Sequence, residues 1–195
     1  MLKPILKTTA LAGSLALTGI GLPALAGSPM EAVAAQTSMV GGEEMYPTKT
    51  IVENAVNSPI HTTLVAAVKA ADLVETLSSP GPFTVFAPTN AAFEKLPDGT
   101  VEMLLEPENK GMLSAVLTYH VVAGKVEAAE LIEMIEDNGG MVELETVQGG
   151  TLTAAIEGGN VVLTDARGGK ATVTQADVMQ SNGVIHVTDA VSLPG

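Results

Sequence analysis

Up to about residue 136 the apolar positions recur every three to four residues, and beyond residue 140 they recur every second one, so the pattern predicts helices first and strands last. A short helix is expected over residues 50–56. A longer one should follow, with Ser58 as its cap, Pro59 in its first turn and Ile60, Leu64, Val68, Ala71 and Val74 on one face. Ser79-Pro80-Gly81-Pro82 breaks it, and Phe83 to Ala87 reads as a buried strand ended by Pro88. Thr89 or Asn90 is placed to cap a brief helix to Leu96. Helical stretches over 100–105, around Met112, Val116 and Leu117, and over 127–136 come next, the last with Ala128, Leu131 and Ile135 inward.

In the final third Val142, Leu144 and Thr146, then Leu152, Ala154 and Ile156, alternate with polar or small residues, as half-buried strands do. Gly149-Gly150, Gly158-Gly159-Asn160 and Gly168-Gly169 separate successive strands at antiparallel hairpin spacing. Closing strands are expected over 171–174 and 183–188, with Ile185 and Val187 on one face and Val184, His186 and Thr188 on the other. This order of elements argues for an α+β domain rather than a doubly wound sheet.

The first 26 residues have a different organisation. Lys3 and Lys7 precede an apolar run to about Leu22, and Pro23-Ala24-Leu25-Ala26 has the small residues of a cleavage site, so 1–26 reads as a signal peptide cut after Ala26. The run is short for a membrane span, and Gly13, Gly19 and Gly21 weaken it as a helix. No stable membrane insertion is expected after its removal. Residues 27–44, rich in Ala, Gly, Ser and Met, read as a flexible lead-in, and 45–194 as one domain.

Without Lys3 and Lys7 the chain keeps 7 bases against 22 acids, a formal charge of −15 that repels polyanions. With 5 aromatic residues and no basic stripe, a nucleic-acid role is excluded. The absence of cysteine removes disulfides, thiolate metal sites and thiol nucleophiles, so packing alone must stabilise the exported product. His61, His120 and His186 lack helical or turn spacing for a metal, and no metal or cofactor is expected. His186, Asp189 and Ser181 could in principle form a triad, but no Gly-x-Ser-x-Gly elbow supports one and no enzyme is expected.

Three segments stand out together: Thr84-Val85-Phe86-Ala87-Pro88-Thr89-Asn90-Ala91-Ala92-Phe93, Tyr119-His120-Val121-Val122, and Asn182-Gly183-Val184-Ile185-His186-Val187-Thr188-Asp189. In order and approximate spacing they resemble the opening signature, tyrosine–histidine motif and closing signature of the fasciclin (FAS1) domain, in the form of a single-domain bacterial secreted member. The resemblance implies a β-sandwich wedge packed with an N-terminal helical bundle, and an adhesion or matrix-binding role. In animal members the tyrosine–histidine region and an Asp-Ile pair are implicated in integrin binding. Those positions are Tyr119-His120 and Asp177-Val178 here, with valine shortening the second pair.

The resemblance therefore implies partner contact at Tyr119, His120, Asp177 and Val178, with burial of Tyr119 and His120 as the competing reading. Thr84, Phe86, Pro88, Thr89, Asn90, Phe93, Gly183, Ile185, His186 and Asp189 are assigned structural roles. The expected product is a secreted or periplasmic module for a cell-surface or matrix protein or polysaccharide. The alternative is an envelope protein binding a small molecule or polysaccharide, for which the methionines could line an apolar groove.

Overall fold

The computed structural model describes residues 37–97 and 99–195. The expected signal peptide and the lead-in up to residue 36 lie outside the described residues. The end of the lead-in is built differently from the expectation. It forms a hairpin of β1 (Ser38–Val40) and β2 (Glu43–Met45), joined by Gly41-Gly42. Both glycines take positive φ, as this tight turn requires, and Val40 and Met45 are buried. Strands of three residues are too short to show alternation.

Helix α1 (Ile51–Ala55) starts with a capping box in which the Thr50 side chain accepts from Glu53 N and the Glu53 side chain accepts from Thr50 N. The single helix expected beyond Ser58 is two, α2 (Thr62–Ala70) and α3 (Val74–Ser78). Asp72 breaks it at φ 56°, and Leu73 N reaches back to Val68 O at 3.0 Å, the left-handed closure that Asp tolerates better than most residues. Ser58 does not cap the helix. Its hydroxyl lies 2.8 Å from His61 Nδ1, inside the turn that precedes α2.

Strand β3 (Phe83–Pro88) leads into α4 (Asn90–Glu94), capped by the Thr89 hydroxyl. Helix α5 (Thr100–Leu105), a 3₁₀ turn at Pro107–Asn109 and α6 (Lys110–Tyr119) follow, then β4 (Val121–Ala123) and α7 (Ala128–Asp137). Among the described residues no helix is long and apolar enough to cross a membrane.

The strands β5 (Met141–Glu145), β6 (Thr151–Glu157), β7 (Asn160–Thr164), β8 (Lys170–Gln180) and β9 (Gly183–Thr188) complete a seven-stranded sheet of order β4-β3-β9-β8-β7-β6-β5. Only β3 and β9 run parallel; the other neighbours are antiparallel. The sheet curls until its ends meet at a bridge between Val122 and Thr146, supported by Val147 N to Val121 O at 2.7 Å. Its outermost strands thus cover each other's edges over a short length.

Two apolar clusters follow from this arrangement. In one, Val85, Ile185 and Val187 pack under the helices with Leu64, Val68, Leu113 and Leu117. In the other, Phe86, Tyr119, Leu131, Leu144, Leu152 and Leu163 fill the wedge. The central strands β3 and β9 are covered on both faces, so every residue of β9 is buried. Gly183 begins β9 so close to β3 that a Cβ there would stand 2.0 Å from Phe83 O, which only glycine avoids.

Candidate functional site

The opening motif works as a set of internal ties. Thr84 Oγ1 donates to Gly124 O at 2.8 Å and accepts from Val126 N at 2.8 Å, which fixes the loop before α7. Phe86 enters the wedge core and Phe93 the helical one. Pro88 is the last residue of β3, and Thr89 N then donates to Thr188 O at 3.2 Å. Asn90 Oδ1 accepts from Thr63 N at 3.0 Å while its Nδ2 donates to Pro59 O at 3.1 Å. It therefore satisfies the open N-terminus of α2, the task that sequence reasoning gave to Ser58.

The same device recurs at two other helix starts. Asn182, between β8 and β9, accepts from Ile51 N at 3.0 Å at the head of α1 and donates to Leu77 O at 2.8 Å. Asp177 accepts from Ala128 N at 2.7 Å, placing a carboxylate at the head of α7, where Glu127 makes no side-chain cap of its own. Residues distant in sequence thus supply the caps that α2 and α7 lack locally, and at α1 Asn182 adds to the Thr50–Glu53 capping box. No local capping pattern could have announced Asn90 or Asn182 in these roles.

Asp177 can do this because β8 is irregular. The strand was expected to end at Thr174 but continues to Gln180, with register shifts between Val173 and Gln175 and between Gln175 and Val178. Such bulges re-aim side chains. Asp177 sits there at φ 56°. Its N–H donates to His186 Nδ1 at 3.3 Å, and His186 Nε2 donates to Val126 O at 2.9 Å. The imidazole stacks on Phe86 with ring centroids 5.5 Å apart.

Tyr119 belongs to the wedge cluster, and His120 follows it as the C-cap of α6. Tyr119 Oη donates to Thr151 O at 2.6 Å and accepts from Ala166 N at 3.1 Å. Its ring lies against Gly150, where a Cβ would come within 2.8 Å of Tyr119 Cε2. His120 Nδ1 donates to Val116 O at 2.8 Å, and its Nε2 accepts from Ser192 N at 2.9 Å, pinning the segment after β9. Asp165 was missed by sequence reasoning. It holds the same segment through Leu193 N to Oδ2 at 2.9 Å, while its Oδ1 accepts from Gly169 N at 2.7 Å across the hairpin turn.

These contacts determine the protonation states. His120 is held as the Nδ1–H tautomer and His186 as the Nε2–H tautomer, and desolvation by burial pushes the pKa of each down. Desolvation pushes His61 down to about 4. Tyr119 is raised, mainly by burial. Asp189 is lowered: burial opposes ionisation, but the bond from Thr172 N at 2.7 Å and the Lys95 ammonium at 3.1 Å outweigh it.

The contact role expected for Tyr119, His120 and Val178 is corrected by their exposures of 1, 3 and 0%, which leave no side-chain surface for a partner. Asp177 alone of the four is partly exposed. The structure also keeps His186, Asp189 and Ser181 from acting together. Both His186 nitrogens are used by Val126 and Asp177, and Asp189 is used by Thr172 and Lys95. Ser58 and His61 are hydrogen-bonded to each other, but both are buried at 1% exposure, which denies a substrate access.

The Asp177→Ala variant is expected to lose about 2 kcal/mol, from the lost α7 cap and the left-handed backbone that alanine resists, whereas Asp177→Asn should lose under about 1 kcal/mol. Denaturant titration measures both, and equal losses would contradict the assigned roles.

Comparison with known proteins places these features in a wider set. Residues 59–194 match the sequence model of the Fasciclin domain. Protein sll1483 of Synechocystis is 50% identical over 181 residues, covering 92% of this chain and 93% of its own length. Immunogenic protein MPB70 of Mycobacterium bovis is 37% identical over 145 residues, 72% of this chain and 66% of that protein. Among solved structures, a FAS1 domain pair from the insect cell adhesion molecule fasciclin I superposes with a TM-score of 0.67 at 20% identity, over 75% of this chain and 51% of that one.

Proposed function

The chain belongs to the fasciclin domain family, and from that membership we propose that it is a non-catalytic attachment module working outside the cytoplasm, where it holds a cell-surface or matrix protein or polysaccharide. One observation carries the reading. The family's signature residues here are spent on internal ties, with both nitrogens of His120 and of His186 engaged by the backbone, so the interior is committed to holding a shape. A rigid domain that presents its outside is suited to attachment. The fold is shared with a protein described as an insect cell adhesion molecule, which supports the same reading.

Asp177 is the proposed contact, because it is partly exposed on the bulge of β8. Val178, its buried neighbour on β8, then fixes the strand from which Asp177 projects, while Tyr119 and His120 hold the interior. The test is retention of envelope or matrix fragments on beads coated with residues 27–195, against an acidic control protein of matched size and charge. Retention above the control, reduced by Asp177→Asn, is expected; retention equal to the control would overturn the proposal.

Export is part of the proposal. Lys3, Lys7, the apolar run and Ala24-Leu25-Ala26 support cleavage after Ala26. Mass spectrometry of the product made in an exporting bacterium is expected to find a chain beginning at Gly27. An intact residue 1–26 segment on the mature protein would contradict it.

A further inference from the structure

Beside α5 and α6 lies an open groove of about 380 Å³, bounded on its far side by the segment after β9. Its walls include Met103, Met112 and Leu193, and Val116 contributes from the core; Gln148 and Arg167 stand at the same groove. Met103 and Met112 are 45 and 54% exposed. Two long, polarisable side chains left open to water on facing helices form an adaptable apolar wall rather than a packed core.

Arg167 supplies the polar end of the groove. It is the one arginine of a chain with 22 acids, and it takes part in none of the four ion pairs found among the described residues. Its Nε donates to Pro194 O at 2.9 Å, which anchors the guanidinium at the groove. No acceptor among the described residues engages its two terminal nitrogens. A guanidinium presents these as a fork matched to a carboxylate.

We propose that this groove binds an alkyl carboxylate, with the chain against Met103 and Met112 and the carboxylate on Arg167. A monoanion matches the single cation. A phosphate dianion would leave excess negative charge on a protein that already carries a formal −13. The same charge opposes occupation by a second copy of the chain. The Asp165 carboxylate beside Arg167 is taken up by the backbone N–H groups of Arg167, Gly169 and Leu193, which leaves the guanidinium fork as the groove's cationic end. This site is separate from Asp177 and goes beyond the attachment role, and each can be tested without the other.

The experiment titrates dodecanoate, below its micelle concentration, into the chain carrying isotope-labelled methionine methyls. Saturable shifts are expected for Met103 and Met112 and not for the buried Met45. Dodecanol should bind about tenfold more weakly, and Arg167→Gln should weaken dodecanoate by a similar factor, the size of one charge-assisted contact. Met112→Glu, which places a carboxylate in the groove, should abolish the shifts without lowering the melting temperature. The proposal is overturned if no shift saturates, if dodecanol matches dodecanoate, or if Arg167→Gln binds unchanged. Concentration-dependent shifts of Met103 and Met112 without ligand would assign the groove to a second copy and overturn it equally.

Discussion

Taking the folded protein from pH 7 to pH 5 is expected to cost about 2 kcal/mol of stability through His61 alone. His61 is buried at 1% exposure and its pKa is pushed down from 6.5 to about 4 by desolvation. As the pH falls through 6.5 the unfolded chain takes up a proton that the folded one refuses, so the balance moves toward unfolding. The loss is complete only when folded His61 protonates near pH 4, where it reaches about 3 kcal/mol. His120 and His186, also held neutral by burial, act in the same direction. Asp189 and Glu53 have lowered pKa values and remain ionised at pH 5, so they do not mask the effect. A domain of this size should melt about 4–8 °C lower at pH 5 than at pH 7 from the His61 contribution. A melting temperature independent of pH over that range would contradict the neutral, buried histidines.

The second large effect is expected at Tyr119. Truncation to alanine removes a fully buried ring from the wedge cluster, at about 3–5 kcal/mol, and strips Thr151 O and Ala166 N of a shared partner. Against a total stability on the order of 5–15 kcal/mol, this brings the domain close to unfolding at ambient temperature. Tyr119→Phe keeps the ring and loses only the hydroxyl, with an expected cost of about 1–3 kcal/mol. Chemical denaturation of both variants separates the two contributions. Were Tyr119 a surface contact, both variants would fold as well as the parent and differ from it only in binding.

How much of this was legible in the sequence depends on how local each interaction is. Thr50 with Glu53 and Thr89 before α4 act within one turn, and the chain shows them directly. The three Gly-Gly hairpin turns and the alternation of Leu152 and Ala154 likewise announced β5 to β8. The hairpin β1–β2 escaped because three residues carry no period. The far half of β8 escaped because two register shifts erase the alternation that marks a strand. Ile156, placed inward by that alternation, is 38% exposed at the hairpin end of β6, where the strand continues past its packed face.

The candidate site was legible as a set of names and not as a set of roles. Its motifs identified the residues that matter, but the caps that Asn90, Asn182 and Asp177 give to α2, α1 and α7 span 27, 131 and 49 positions. Such ties exist only after the sheet has brought β3, β8 and β9 against the helix ends. The burial of Tyr119, His120 and Val178 has the same origin: two clusters and a curled sheet close over them, and a linear pattern cannot distinguish that from a half-buried face.

Nitrogen NMR of the imidazole rings reads whether the signature histidines are neutral struts inside a closed fold. A proton is expected on Nδ1 of His120 and on Nε2 of His186, each unchanged as the pH is lowered through 6.5 while the domain stays folded. A ring that exchanges between tautomers, or that titrates near 6.5 in the folded protein, would contradict it.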